Sequence, residues 1–233
     1  LLGRMKTSSK CQPDIISYTS VMECLSKSAD PKAVQQAEEL LDEAFRRYEE
    51  TKDPALMPNL RTFTMAILTL AKNHGSVVKA RALLTQCMDL YIETKNPLLL
   101  PNEYPYNYVL NCAANTLENQ QEAFKIATQT YQEMRQSKTV NPDSFTYAFW
   151  LKCCNNLLPE SDLRTKCVSY AFEECKKEGL VSKEVLTRLF QGNRPTVVNL
   201  LLENQTNRQP YRSVKVQDLP PAWSRRTARR GSR

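Results

Sequence analysis

The sequence predicts an all-α protein, an α-solenoid of stacked helix-turn-helix repeats, and three observations carry that expectation. The first is a short phrase written four times: a proline, Asp or Asn, three further residues, an aromatic and a small side chain. The copies are Pro13-Asp14…Tyr18-Thr19, Pro58-Asn59…Phe63-Thr64, Pro101-Asn102…Tyr106-Asn107 and Pro142-Asp143…Tyr147-Ala148, with prolines 45, 43 and 41 residues apart. A phrase recurring at such a period marks an array of similar supersecondary units, each burying its apolar face against the next. The second observation is a pair of helical apolar rhythms in every copy. The third is that only five glycines occur in 233 residues and no Val/Ile run alternates strictly, so nothing asks for a sheet.

Each copy reads as a shorter A helix of ~13 residues followed by a longer B helix of ~18. Residues 1–12 form a leader or the end of a preceding repeat, and the repeats occupy 13–193. Every A helix opens on the phrase itself. Its proline closes the connector, because the ring blocks helix continuation, and the Asp or Asn that follows is a good N-cap. The first A helix carries Ile15, Tyr18, Met22 and Leu25, and its B helix Ala37, Leu40, Leu41 and Ala44. The second pairs Phe63, Ile67, Leu68 and Ala71 with Ala80, Leu83, Leu84 and Cys87, with Gly75 between them. The third pairs Tyr106, Leu110 and Ala113 with Ala127, Thr130, Tyr131 and Met134. The fourth B helix carries Val168, Ala171, Phe172 and Cys175 and stops at Lys176-Lys177 and Gly179. A degenerate fifth copy begins near Ser182-Lys183, without the proline and the aromatic. Pro195-Thr196-Val197-Val198 starts a short capping helix over 194–206, and 207–233 is an extended, basic, Pro-punctuated tail.

The net charge of +7 is not spread over the chain. Residues 204–233 hold eight basic side chains against Asp218 alone, so the preceding body is neutral. Within that body the acids favour the B helices, as in Glu38, Glu39, Asp42, Glu43, Glu49 and Glu50. The A helices carry Lys27, Arg61, Lys72 and Lys152 with few acids, so their face is the one an anionic polymer would tolerate. The eight cysteines include no C-x-x-C pair and there is one histidine, His74, which argues against zinc. They read as small buried hydrophobes in a reducing compartment. No Gly-rich phosphate loop, G-x-S-x-G or clustered carboxylate motif is present. The expectation is a binding surface, with no catalysis, no cofactor, no metal, no small-molecule substrate and no membrane span. The start at Leu1-Leu2-Gly3 suggests a fragment or a processed form.

With paired helices and the phrase Pro-Asp-x-x-x-Tyr-x-x-x-[Met/Leu], the chain resembles pentatricopeptide repeat (PPR) proteins. Ala37-Glu38-x-Leu40-Leu41-x-x-Ala44 and Tyr131-Gln132-Glu133-Met134-Arg135 look like the B-helix pattern of that family. Its usual repeat is about thirty-five residues, and the surplus here falls in extended B helices and in the connectors Thr51–Leu56 and Thr94–Leu100. The chain therefore resembles divergent, long-repeat members. The ending Asp218-Leu219-Pro220-Pro221-Ala222-Trp223-Ser224-Arg225 is similar to the close of PPR-like proteins of diatoms and related algae.

The resemblance implies a right-handed superhelix that binds single-stranded RNA, about one nucleotide per repeat, in a mitochondrion or plastid. It implies base reading by Thr19 with Asn59, Thr64 with Asn102, and Asn107 with Asp143, in a core preference 5′-A-A-U-3′, with Ala148 unable to read. Ile16, Arg61, Tyr104 and Phe145 would sandwich the bases. Two alternatives stay open. Asn59, Asn102 and Asp143 would cap their helices whether or not RNA binds. The alternative function is a protein-interaction scaffold of helical-repeat type, such as a subunit of a mitochondrial ribosome or processing complex. The tail would contact phosphates, or would be a solubilising segment with Trp223 tucked onto the last helix.

Overall fold

Capping side chains set where the A helices begin. Asp14 Oδ1 accepts from the Ser17 N–H at 2.8 Å, Asn59 from Thr62 at 3.1 Å, Asn102 from Tyr104 at 3.1 Å and Asp143 from Thr146 at 2.9 Å. At Asn59 and Asp143 the threonine hydroxyl returns the bond to the cap N–H, completing capping boxes. The protein is described by a computed structural model that covers residues 2–6, 12–28, 30–202 and 214–227. Among these residues the regular elements are α-helices and single 3₁₀ turns and no strand occurs, so the described chain is all-α. It divides into two compact units, Leu1–Thr116 and Leu117–Arg233, and the division falls inside the third copy, between its two helices.

In the first unit the short α1 (Leu2–Lys6) precedes α2 (Ile15–Ser26), α3 (Ala33–Thr51), α4 (Leu60–Lys72), α5 (Val77–Thr94) and α6 (Glu103–Ala114). The A helices α2, α4 and α6 lie side by side, α4 packing on both neighbours. The B helices lie behind them, α3 on α2 and α4, and α5 on α4 and α6. The aromatic of each phrase is the anchor of this arrangement: Tyr18, Phe63 and Tyr106 are fully or almost fully buried. Tyr18 still satisfies its hydroxyl, donating to Glu43 at 2.9 Å and accepting from Arg47 at 3.0 Å, both on α3.

The connectors that make the repeats long are ordered duplicates. Lys52 and Lys95 end α3 and α5 in the left-handed region, at φ 52° and 53°. Asp53 and Asn96 then cap single 3₁₀ turns, Pro54–Leu56 and Pro97–Leu99, each accepting from a backbone N–H at 2.9 Å. Each turn drops one leucine into the core. Leu56 joins Ile15, Tyr18 and Ala44, while Leu99 joins Phe63 and Cys87. The extra residues therefore bury apolar area between successive helices instead of looping into solvent.

The second unit contains α7 (Gln120–Gln136), α8 (Ser144–Leu157), α9 (Asp162–Glu178), α10 (Lys183–Phe190) and α11 (Pro195–Leu201). Here α8 and α10 lie side by side, as A helices do in the first unit, with α7 and α9 packed on α8 and α11 on α9 and α10. Ser182 caps α10 through the Val185 N–H, so the degenerate fifth copy forms its first helix without the proline. Trp150 stacks between Tyr131 (4.7 Å, 5°) and Phe124 (5.7 Å, 27°). Arg135 ties the three longest helices together, donating to the Tyr147 hydroxyl at 2.8 Å and pairing with Glu174 at 2.7 Å and Glu178 at 2.5 Å.

The tail departs from the extended form expected of it. Over 214–227 it makes two 3₁₀ turns and folds back on α9. Trp223 packs edge-on against Phe172 (6.2 Å, 90°) beneath the Lys176 ammonium at 4.5 Å from its ring. Backbone bonds fasten it on both sides, Val181 N–H to the Trp223 carbonyl at 2.8 Å and Arg226 N–H to the Gly179 carbonyl at 3.0 Å. Gly179 ends α9 at φ +70°, where a Cβ would meet Arg225 Cγ at 2.6 Å and the Ala222 carbonyl oxygen at 3.0 Å. The physical reason is Trp223 itself, which has an apolar seat to bury in. Cys11 of the leader, residues 203–206 of the expected capping helix, and Arg208, Tyr211, Arg212, Arg229, Arg230 and Arg233 of the tail lie outside the described residues.

Candidate nucleic-acid interface

Packing one face of each A helix against its neighbours leaves an opposite stripe at helical spacing i, i+4, i+7 and i+11. On α2 it is Ile16, Ser20 and Glu23, with Lys27 at the C-cap; on α4, Arg61, Met65 and Lys72, with Leu68 buried between them; on α6, Tyr104, Tyr108 and Asn111, with Asn115 at the C-cap. Ile16 is 69% exposed and Tyr104 51%. Glu23 is the one carboxylate on this stripe, and it is already neutralised, by Lys27 at 2.9 Å and Arg61 at 2.9 Å. The hydrogen bonds from Lys27 first, and then from Arg61, hold its carboxyl below the usual range. Two tyrosines and three cations against one compensated acid make this face accommodating to an anion with aromatic surface.

The second unit repeats the pattern more strongly. On α8 the stripe is Phe145, Phe149, Lys152 and Asn156. Phe145 is 48% exposed, and its ring lies 6.3 Å from that of Phe149 at a 31° tilt. Burial pushes the Lys152 ammonium down, and the neighbouring Arg188 of α10 adds to the shift. Asn155 of α8 holds α10 in place by donating to the Arg188 and Gln191 carbonyls at 2.7 and 2.5 Å. Lys152 thus lies on the stripe of the exposed Phe145 and the half-buried Phe149, with a second cation, Arg188, near enough to lower its affinity for a proton.

The ten residues expected to meet RNA divide into two groups. Ile16, Arg61 and Tyr104 share the open stripe of the first unit, and Phe145 lies on that of the second. Thr19, Thr64 and Asn107 do not line a trough; they are buried, at 4%, 6% and 3% exposure. Thr19 donates its hydroxyl to the Ile15 carbonyl at 2.7 Å and lies 2.9 Å from the Thr62 hydroxyl of the next A helix. Thr64 donates to the Leu60 carbonyl at 2.6 Å. The reason is periodicity. Positions 15, 18, 19 and 22 are one stripe of α2, so whatever buries Tyr18 also buries Thr19. Ala148, expected not to read, occupies the same buried position. Asn59, Asn102 and Asp143 spend their oxygens on helix caps, so capping accounts for the geometry at all three. The first member of each expected base-reading pair, Thr19, Thr64 and Asn107, is therefore withdrawn into the packing of the A helices.

Tyr108 and Phe149 join these stripes and are legible in the sequence, standing four residues after Tyr104 and Phe145 on the same face; Arg188 carries no such local signal. Comparison with protein-family models, with curated proteins and with solved structures finds no match to this chain.

Proposed function

We propose that the chain binds single-stranded RNA through the outward stripes of its A helices, as a divergent PPR-like array of stacked hairpins and without catalysis of its own. Bases stack on Tyr104, Tyr108, Phe145 and Phe149, while Arg61, Lys152 and Arg188 meet phosphates. The observation that carries this reading is the recurrence, in both units and at the same helical register, of an exposed aromatic (Tyr104, Phe145) with a half-buried one four residues on, beside cations, the one acid of the first unit's stripe being compensated. Stacking of this kind contributes about 1–3 kcal/mol per base and tolerates any base. Binding is accordingly expected to be sequence-tolerant. The resemblance adds a right-handed superhelix, a mitochondrial or plastid setting and an adaptor role in RNA processing, stability or translation.

Fluorescence polarization with labelled single-stranded RNA of mixed sequence, an A-A-U-rich strand and a duplex, at two salt concentrations, tests the proposal. Single strands should bind more tightly than duplex, A-A-U no better than mixed sequence, and log K should fall with log salt. Equal affinity for duplex, or no binding at low salt, would sink it. One feature favours a scaffold instead: a groove of about 650 Å³ between α7 and α9, walled by Phe124, Tyr131, Trp150, Leu163 and Tyr170, has the apolar character of a protein-docking site.

A further inference from the structure

The gap between two B helices is filled at α3 and α5 and open at α7 and α9. In the first unit Leu40, Phe45 and Leu83 close over Ala66 of α4. Six residues into α8, the register of Ala66 in α4, the chain has Trp150 instead. Its indole lies flat on Tyr131 and floors a groove of about 650 Å³. The two walls of that groove are in register. Arg135 and Glu174, paired at 2.7 Å and 39 residues apart, hold α7 and α9 at one level. The same offset sets Phe124 opposite Leu163, Thr128 opposite Cys167 and Tyr131 opposite Tyr170. These positions are i, i+4 and i+7 on each helix, three levels spanning about 10 Å. Leu163 is 56% exposed and Tyr170 60%, so the upper wall is apolar surface left in water.

We infer that this groove docks an amphipathic α-helix of a partner protein, with apolar side chains at i, i+4 and i+7 seated between the walls and a carboxylate beside them on Lys166. The inference builds on the docking character of the groove and is independent of RNA binding. The groove also leaves the aromatic stripe of its own unit uncovered, because Trp150 lies more than a quarter-turn round α8 from Phe145, Phe149, Lys152 and Asn156. Helix and RNA can therefore be held together.

Three observations select that occupant. The first is backbone chemistry. Both walls are α-helices, whose N–H and C=O groups are spent internally, and no strand edge occurs among the described residues. An extended peptide in the groove would bury unpaired backbone groups, whereas a helix satisfies its own. The second is spacing, since a third helix laid along two helices in register presents its i, i+4, i+7 ridge to their matching levels. The third is charge. The lining holds Arg135 and Lys166 and no carboxylate. Arg135 is spent on Glu174 and Glu178, while Lys166 is exposed and has no ion pair among the described residues. One free cation beside an apolar wall suits a single acid on the partner and is too little for a phosphate backbone.

The test is fluorescence polarization on the full chain with a labelled, side-chain-stapled helical peptide of about four turns, carrying leucines at i, i+4 and i+7 and a glutamate on their flank. Its controls are the same peptide with lysine for the glutamate, and one of equal composition whose leucines share no face. The first peptide should bind saturably, and the off-face control about tenfold more weakly or worse. Leu163→Ala and Tyr170→Ala should each weaken binding about tenfold, and both side chains are exposed enough for these variants to fold. Lys166→Glu should cost the glutamate peptide about threefold and return as much to the lysine peptide. RNA affinity of the same variants should stay within about twofold of the parent, so failure of RNA binding and failure of helix docking are separate results. Equal binding of the off-face control, indifference to Leu163→Ala and Tyr170→Ala, or a charge swap that moves neither peptide would overturn the proposal. So would displacement of the peptide by RNA, or sedimentation showing that the chain alone dimerises through Leu163 and Tyr170, which would give the groove to a second copy.

Discussion

Phe145→Ala separates a ligand-facing ring from a structural one, and its size follows from the exposure of the side chain. Phe145 is 48% exposed at the second position of α8. An aromatic side chain presents about 150–250 Å² in all, so roughly 100 Å² is open to a ligand. At ~25 cal/mol per Å² a base covering that face contributes at most about 2.5 kcal/mol, inside the range of measured base–aromatic stacking. Truncation should therefore weaken single-stranded RNA binding by about 2 kcal/mol, or ~30-fold in Kd. The covered half of the ring should cost only about 1–2 kcal/mol of stability, because Phe149 and the helix beneath remain. Tyr147→Ala is the contrasting variant. Its ring is fully buried against Tyr131, and its hydroxyl accepts from Arg135, so it should lose about 3–5 kcal/mol of stability. Polarization titrations read alongside thermal circular dichroism separate the two. A folded Phe145→Ala protein that binds RNA within twofold of the parent would refute the stacking argument.

Three further outcomes follow from named contacts. Lys152 has its folded-state pKa lowered, so the unfolded chain binds more protons and this group's contribution to stability rises with pH between its folded and unfolded pKa values. Lys152→Met should accordingly raise the melting temperature while reducing the salt slope of RNA binding by about 0.7; a melting temperature that falls would contradict the account. Trp223→Ala should cost about 3–5 kcal/mol and open residues 214–227 to protease, which limited digestion reads directly, and a loss below about 1 kcal/mol would mean that the seat on Phe172 and Lys176 is not a real anchor. Thr19→Val should cost about 1 kcal/mol of stability and leave RNA affinity within twofold, since its hydroxyl serves Ile15 and Thr62; a selective loss for A-rich strands would restore base reading at that position.

Much of the fold could be read from local chemistry. The Pro-[Asp/Asn] start of each A helix is a backbone instruction followed by an oxygen that accepts an orphan N–H, and all four caps form as that chemistry requires. The A helices run 12, 13, 12 and 14 residues and the B helices 19, 18, 17 and 17, close to the expected lengths, because the apolar rhythm and the stop signals lie in the same stretch of chain. The connectors were read only as surplus length. Yet Thr51-Lys52-Asp53-Pro54-Ala55-Leu56 and Thr94-Lys95-Asn96-Pro97-Leu98-Leu99 agree at four of six positions and share an Asp or Asn cap, and the proline with a leucine two residues on already describes a capped turn that buries its last side chain. Burial of Trp223 on a helix is legible as one alternative for the tail, but the receiving helix is α9 and not the last one, because its partner Phe172 lies some fifty residues away and nothing near the tryptophan specifies it.

The site was harder to read for a more general reason. A cap depends on residues three apart, whereas exposure depends on what packs against a helix, and that is a property of the neighbours. Thr19, Thr64 and Asn107 are small and polar, which in isolation suits a groove as well as it suits a tight helix–helix contact. The neighbouring A helix decides between these, since it approaches on the side of Tyr18, Phe63 and Tyr106 and one residue further along the chain lies on that same side. Close approach of two A helices also explains the choice of residue type there: a threonine hydroxyl that bonds back to its own helix presents little more than a methyl to the contact, and in the fourth copy Ala148 does the same with no hydroxyl at all. The second position points the other way, so it is free of packing constraints and varies from Ile16 to Arg61, Tyr104 and Phe145. Under the proposed reading the side chains at this register meet the bases, and the cations beside them meet the phosphates.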